Sequence, residues 1–466
     1  MNYNTEVIDD IAQQLAEMFK SVVTAQQESD GSTATIARIE TDMREALRQI
    51  GKQALGLFLS SMQTTPEKEI ACSCGGTLHY QRMREALVIS VFGRTLYVRA
   101  YYAGCHCKQG KAPLDEQFGL EAGAVTAGLA TLLALAGIEF SYDKSPKWLQ
   151  AYLLFDISEN TVRSETERMG ALQEKREEVL IQQSQDEGYL QARQRDPGRI
   201  APRLYGSIDA AKVRIEPRPK QGEEKEAHED WRDMKMVCWF ETETVPPSQH
   251  SKRQHKKALR EQTALRAKNM QYFCDITKAE AFGKLLWATG CTVNADLCPD
   301  LVFLGDGAPW IWNLVSHYYP NAKQIVDWYH AEEHLEIVAA AAFPDLTQRT
   351  NWLEDATQAL WNGQAEDLIS ACQALAQSCL QASQAVTYFT NNMERMRYDR
   401  FRAAGYMIGS GTIESGCKQI VSQRLKLPGA QWMVSGAVQT AKARAAWLSG
   451  HWHILCAQRS VLPLAV

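Results

Sequence analysis

Apolar residues recur at helical spacing over the first 65 residues: Ile8, Ile11, Leu15 and Phe19, then Ile36, Ile39, Met43, Leu47, Ile50, Ala54 and Leu57. The polar stretch QQESDGS interrupts them, so at least two helices are expected there. The period changes after Pro66, where residues 86–92 and 95–101 alternate apolar and polar about Gly93. That pattern predicts a β-hairpin. Helical spacing returns from Gly119 to about Glu178. It includes the longest uncharged apolar stretch, 122–138, which at 17 residues is shorter than the ~20 a bilayer span needs and is expected to be a buried helix. Further along, a helix over 144–154, a turn at Phe155-Asp156-Ile157 and Ser158 as the cap of a second helix form a candidate helix-turn-helix.

The second half alternates strand and helix signals. A strand over 204–208 is expected to end at Asp209, with further strands over 234–240 and 271–276 and a helix over 278–288. An apolar strand over 301–304 runs into Gly305-Asp306-Gly307 and a helix from near Pro309. A short strand over 324–326 runs into Asp327-Trp328-Tyr329-His330. This order implies an α/β core. Residues 331–405 are helix-patterned throughout, which predicts three or four helices inserted into the core, with Cys372 and Cys379 on one buried helix face. The Gly/Ser-rich IGSGTIESGCK then opens a helix at Glu414, with Ser410 or Thr412 as its cap. The expected organisation is a helical region over 1–69, a zinc-ribbon-like hairpin over 70–116 and a helical, helix-turn-helix region over 117–185. A linker over 186–203 follows, then the leading segment of the core over 204–330, the all-helical insertion over 331–405, and the closing segment of the core with basic C-terminal helices over 406–466.

The 50 bases and 55 acids leave a formal charge of -5, which argues against a uniformly basic nucleic-acid binder. Their distribution matters more. Lys252, Arg253, Lys256, Lys257, Arg260, Arg266 and Lys268 face a single acid, Glu261, and no Asp or Glu follows Glu414, while six Lys and Arg do. Both runs are candidate phosphate contacts, and a basic C-terminal face is expected. The N-terminus has acids where a secretory signal has bases, so the expected location is cytoplasmic, with no membrane partner and mostly reduced cysteines.

Two kinds of chemistry stand out. Cys72 and Cys74 precede the hairpin and Cys105 and Cys107 follow it, so four thiols converge where a structural Zn²⁺ would fit, with His79 or His106 as alternative ligands to a thiol. Asp209 and Asp306 follow strands, and acids at the C-terminal ends of strands converge on the edge where open α/β sheets hold ligands. Glu414 would join them from a helix. Carboxylates that face one another repel unless a cation lies between them, which implies Mg²⁺ or Mn²⁺, two ions being suited to phosphoryl transfer.

The motifs SxDxxxV, LxDGAPWIW, VDWYHAxEHL and GSGxIES, in this order over roughly 203–447, resemble the DDE transposases of bacterial insertion sequences, which have an RNase H-like catalytic fold. Asp327 and His330, with a helical insertion before the glutamate, resemble the Mutator-like and hAT-like branch. The resemblance implies an α/β RNase H-like core interrupted by an all-α insertion. Asp209, Asp306 and Glu414 would be metal ligands, and His330 with Asp327 an accessory pair near the scissile phosphate. It also implies double-stranded DNA as partner, both transposon ends and target, and a homodimer or larger assembly upon it. Candidate DNA contacts are Lys252, Arg253, Lys256, Lys257 and Arg260; Arg424 and Lys426 on the backbone; Trp432 stacking on a base; and Asn160 and Arg163 in the second helix of the helix-turn-helix. A nuclease that cuts without joining and a catalytically inactive DNA-binding regulator are the alternatives.

Overall fold

The computed structural model describes residues 5–28, 35–62, 65–120, 123–216, 231–245, 264–409 and 411–459. Lys252, Arg253, Lys256, Lys257 and Arg260 lie outside them. The chain divides into two compact units, one of residues up to Thr166 with the return of the chain from Cys456, the other Glu167–Leu455. The division falls inside a helix and not at the expected linker.

In the first unit, α1 (Thr5–Glu28) and α2 (Ile36–Ser61) precede an antiparallel sheet of β1 (Glu69–Ala71), β2 (Thr77–Ser90) and β3 (Gly93–Ala103). Leu59 of α2 packs with Ala86, Val88 and Tyr97 of the sheet and with Leu114 of α3 (Pro113–Phe118). Of the apolar stripe, Leu15, Ile39, Ile50, Ala54 and Leu57 are half-buried and Phe19, Ile36, Met43 and Leu47 are exposed. A second core joins Leu129 and Leu133 of α4 (Ala127–Glu139) to Leu149 of α5 (Ser145–Leu153), Ile157, and Val162 of α6 (Glu159–Gln183). Ser158 caps α6 by accepting from the Thr161 N–H at 3.1 Å. With 25 residues, α6 runs well beyond the expected two-helix corner.

In the second unit, α7 (Glu187–Arg195) occupies the segment expected to be a linker. Asp186 caps it, and its Arg193 is tied to Asp296 at 2.8 Å, so it is an ordered element of the core. The sheet is mixed, in the order β6-β5-β4-β7-β8. β4 (Leu204–Arg214) pairs antiparallel with β5 (Trp231–Val245), which pairs antiparallel with β6 (Ala264–Asp275). On its other side β4 runs parallel to β7 (Leu301–Gly305), and β7 parallel to β8 (Lys323–Val326). Every residue of β7 is buried, as expected of a parallel strand covered on both faces. Helices α8 (Ala279–Thr292) and α9 (Pro309–Tyr318) connect the strands.

The helical insertion contains α10 (Trp328–Ala342), α11 (Leu346–Trp361), α12 (Ala365–Leu375), α13 (Leu380–Asn392) and α14 (Tyr398–Ala403), one helix more than expected. α10 begins one residue after Asp327, so the core passes into it without a break. Cys372 and Cys379 are both buried, but Cys379 caps α13 and does not share the α12 face, because the chain turns at 376–379. The chain returns through α15 (Gly411–Cys417), a π-helical turn (Lys418–Ser422), α16 (Gln423–Leu425), α17 (Val434–Leu448) and α18 (Trp452–Gln458). No helix among the described residues is long and apolar enough to cross a membrane.

The C-terminal bases do not form the expected basic face. Arg424, Lys442 and Arg444 are buried, and Arg459 pairs with Glu165 at 2.8 Å. Lys442 of α17 lies between Glu177 of α6, within bonding contact, and Asp275 of β6 at 3.1 Å. Its charge is consumed inside the fold, because an uncompensated buried ammonium would be costly.

The His451 ring is pushed down to about 4, first by burial and then by Arg176 and His453, against an ordinary 6.5. Between those values the unfolded chain takes up a proton that the fold refuses, so this group's contribution to stability falls as pH drops from 6.5 toward 4. Urea unfolding should therefore show the wild type losing about 1–2 kcal/mol relative to His451→Phe between pH 7 and pH 5.

Candidate active site and zinc centre

The registers of the parallel strands define the site. Ser207 lies opposite Leu304 in the β4–β7 ladder; continued two residues, that register sets Asp209 opposite Asp306. Gly305 lies opposite Val326 in the β7–β8 ladder, and one residue further sets Asp306 opposite Asp327. Three carboxylates thus end up in one row along the carboxyl edge of the parallel strands. Asp209 differs from expectation in one respect: β4 does not end there but continues to Arg214, paired with β5 alone. What ends at Asp209 is the parallel ladder.

Each carboxylate has a distinct environment. Asp209 accepts from the Ala210 N–H at 2.6 Å and the Cys417 thiol at 3.4 Å. Burial holds its pKa above the ordinary carboxylate value, and the nearby Asp306 charge adds to the rise. Asp306 accepts from the Ala308 N–H at 2.8 Å across the turn into α9, where Gly307 sits at φ +99°. Asp327 is fully buried; one of its oxygens accepts both the His330 N–H, at 2.9 Å, and His330 Nδ1, at 3.0 Å. It caps α10 and orients the imidazole. With that oxygen committed twice, Asp327 is a positioning residue.

The bond to Asp327 raises His330 to about 9, with Asp209 and Asp306 adding to the effect against the burial that opposes it. The ring is therefore an imidazolium at neutral pH, one-third exposed and 3.9 Å from Glu414. Glu414 reaches this point because the chain before it is tied into the core. Trp328 N–H donates to the Ile408 carbonyl at 2.9 Å, and Met407 N–H donates to the Tyr205 hydroxyl at 3.1 Å. α15 then lies flush on the sheet: a Cβ on Gly416 would stand 2.5 Å from the Tyr272 ring. Glu414 sits in the first turn of α15 with Thr412 already inside that helix, so Thr412 is not its cap; Ser410 lies outside the described residues. The π-helical turn directly after α15 is of a kind frequent at functional sites.

Asp327, His330 and Glu414 have ligand atoms within 4.8 Å of one another. Asp209 and Asp306 act on the same His330 electrostatically. Both stand outside that group of three, so the expected ligands Asp209, Asp306 and Glu414 are not all within 4.8 Å of one another. Their carboxylate oxygens are hard donors of the kind that suit Mg²⁺ or Mn²⁺.

The other expected contacts fare differently. Asn160 and Arg163 lie on the outward side of α6, with Arg163 donating to the Asn160 carbonyl oxygen at 3.0 Å. Lys426 is exposed. Arg424 and Trp432 are buried: the indole donates to the Leu425 carbonyl at 2.9 Å, and the guanidinium lies 5.1 Å from its ring centre. Neither is placed to hold or stack on DNA, because the two pack against each other inside the fold. Sequence patterning also passed over Cys417, Tyr388 and Asn392, which bond to Asp209 and to the Asp306 turn. The i+3 spacing of Cys417 from Glu414 on one helix was a readable signal for it; nothing local marked the other two. A polar cavity of about 430 Å³ lies away from this row, near Leu204 at the start of β4, lined by Arg199, Glu241, Asn269 and Asn294. Its charged groups are paired, Arg199 with Glu241 at 2.6 Å.

The four cysteines converge as the hairpin predicts. Their Sγ atoms lie within 4.8 Å of one another, with separations of 3.3 Å for Cys74–Cys105, 3.4 Å for Cys72–Cys74 and 3.5 Å for Cys72–Cys107. A tetrahedral site with Zn–S bonds near ~2.3 Å needs sulfur separations of about 3.8 Å, so these thiols could hold zinc with small adjustments. The Cys74 backbone N–H and the neighbouring thiols pull the Cys72 thiol down to about 6, toward the ligating thiolate. His79 is engaged with Glu69 at 3.2 Å and is not a ligand; His106 lies beside the cluster, 3.5 Å from Cys105. No family model matches the chain, and no curated protein is significantly similar to it. Elemental analysis of purified protein should find one Zn²⁺ per chain, and Cys72→Ser combined with Cys107→Ser should abolish it and lower the melting temperature.

Proposed function

We propose that the chain is a DDE-type transposase of an insertion sequence, with an RNase H-like core that cuts DNA and joins its 3′ ends to a target by divalent-metal-dependent phosphoryl transfer. The observation that carries this reading is the row from Asp209 to Asp306, with Glu414 and His330 beside it, at the carboxyl edge of a sheet ordered β6-β5-β4-β7-β8. Numbered within the sheet, the order is 3-2-1-4-5, with the first three strands antiparallel and the last two parallel to the first. Of the sequence motifs that resemble the transposases, LxDGAPWIW and VDWYHAxEHL fall at the ends of β7 and β8, SxDxxxV lies within β4, and GSGxIES carries Glu414 on α15.

In this reading Asp209, Asp306 and Glu414 hold Mg²⁺ or Mn²⁺. When bound, the ions activate the attacking oxygen and stabilise the leaving one. The His330 imidazolium, fixed by Asp327, donates to a non-bridging oxygen of the scissile phosphate and offsets its charge. Asn160 and Arg163, with Lys426, supply DNA contacts. Cutting and joining two ends of one element calls for a dimer or larger assembly on DNA.

The test is cutting and joining of the element's end DNA in Mg²⁺ or Mn²⁺ by the wild type beside Asp306→Asn, which removes the charge at nearly constant shape. The variant should bind the same DNA and lose a hundredfold or more of both activities, on the order of the several kcal/mol that metal stabilisation supplies. Cleavage without joining by the wild type would make the protein a nuclease. Specific binding without either reaction would make it a regulator.

A further inference from the structure

We propose that Tyr388 of the helical insertion is a positioning residue that sets the Asp306 turn and so determines how tightly the site holds its divalent cation. This rests on the reading of Asp306 as a metal ligand. Tyr388 lies 82 residues beyond Asp306, on α13, and its hydroxyl donates to the Asp306 backbone carbonyl at 2.8 Å. One helical turn on, Asn392 is buried and donates to the Gly307 carbonyl at 3.3 Å and to the Tyr388 carbonyl at 3.1 Å. Two successive carbonyls of the turn are thus held by side chains of one insertion helix.

The turn needs such a hold. Gly307 has φ +99°, a conformation open to glycine at little cost but one among several that glycine samples. A flip of the peptide between Asp306 and Gly307 would turn the Asp306 carbonyl away from Tyr388 and loosen the turn in which the Asp306 carboxylate accepts from the Ala308 N–H. The phenol ring also lies close against the turn: a Cβ on Gly307 would stand 2.5 Å from it. On its other side the ring stacks on His334, with centroids 3.8 Å apart and planes 27° apart. His334 is one turn along α10 from His330, so Tyr388 is wedged between the turn that carries Asp306 and the helix that carries His330. A tyrosine that only filled the core would need neither the hydroxyl nor this placement.

Tyr388→Phe keeps the ring and the stacking and removes one hydrogen bond. The probe is Mn²⁺ alone, titrated into the zinc-loaded full-length protein and followed by the electron paramagnetic resonance of free Mn²⁺. The variant should bind Mn²⁺ about tenfold more weakly, the scale expected when a partner of a ligating carboxylate is lost. Joining activity should return to within about twofold of wild type at saturating Mn²⁺, since the defect lies in metal affinity. Arg402→Gln breaks a different insertion bond, from Arg402 to the Trp361 carbonyl at 2.9 Å, and should leave Mn²⁺ affinity unchanged. Wild-type Mn²⁺ affinity in Tyr388→Phe, or equal weakening in Arg402→Gln, overturns the proposal. Normal Mn²⁺ binding by Asp306→Asn overturns instead the metal-ligand reading on which it rests.

Discussion

A parallel ladder fixes which residue of each strand lies beside which, and because the side-chain period is two, a slip of one residue would send every side chain to the opposite face. The second unit depends on this constraint. Pairing of Leu204 with Leu301 and of Leu304 with Ile325 is set by buried apolar side chains. Its consequence is that Asp209, Asp306 and Asp327 reach the carboxyl edge together. The hydrophobic core therefore determines the geometry of the acids, and a repacking in β7 would be felt at the site before it was felt in the overall fold.

Around that row the structure separates two tasks. Asp327 gives up its exposure and both bonds of one oxygen to orient His330, whose charge is thereby held at neutral pH. Asp209 and Asp306 repel each other, which is the condition a cation relieves. Glu414 joins from a helix laid against the sheet through Gly416, with the return chain stitched to Trp328 and Tyr205. The helical insertion belongs to this construction, since Tyr398 donates to the Val326 carbonyl at 3.0 Å, one residue before Asp327.

Much of this was legible in the sequence because the signals were local. The strand runs into Asp306 and Asp327 read directly, as did the Ser158 cap and the two cysteine pairs about a hairpin, while the run to Asp209 showed the strand but not that it continues to Arg214. What could not be read depended on packing between distant segments. Arg424, Lys442 and Arg444 look like a basic face in a chain without nearby acids, yet the acids that neutralise Lys442 are Glu177 and Asp275, far back in the sequence. Trp432 follows a Pro-Gly turn that suggests exposure, but its indole finds the Leu425 carbonyl and packs inward. The segment 186–203 is polar enough to pass for a linker, and only its Arg193–Asp296 pair shows it to be anchored. In the first two helices, helical spacing shows that an apolar stripe exists and not what covers it.

The central claim is that the Asp209–Asp306 row with Glu414 is a divalent-cation site. Anomalous diffraction from crystals of the full-length protein grown with Mn²⁺ locates such ions directly. The account predicts manganese density bounded by the carboxylates of Asp209 and Asp306, lost in Asp306→Asn. Manganese elsewhere on the protein, or none at this row with both acids turned away, would contradict it.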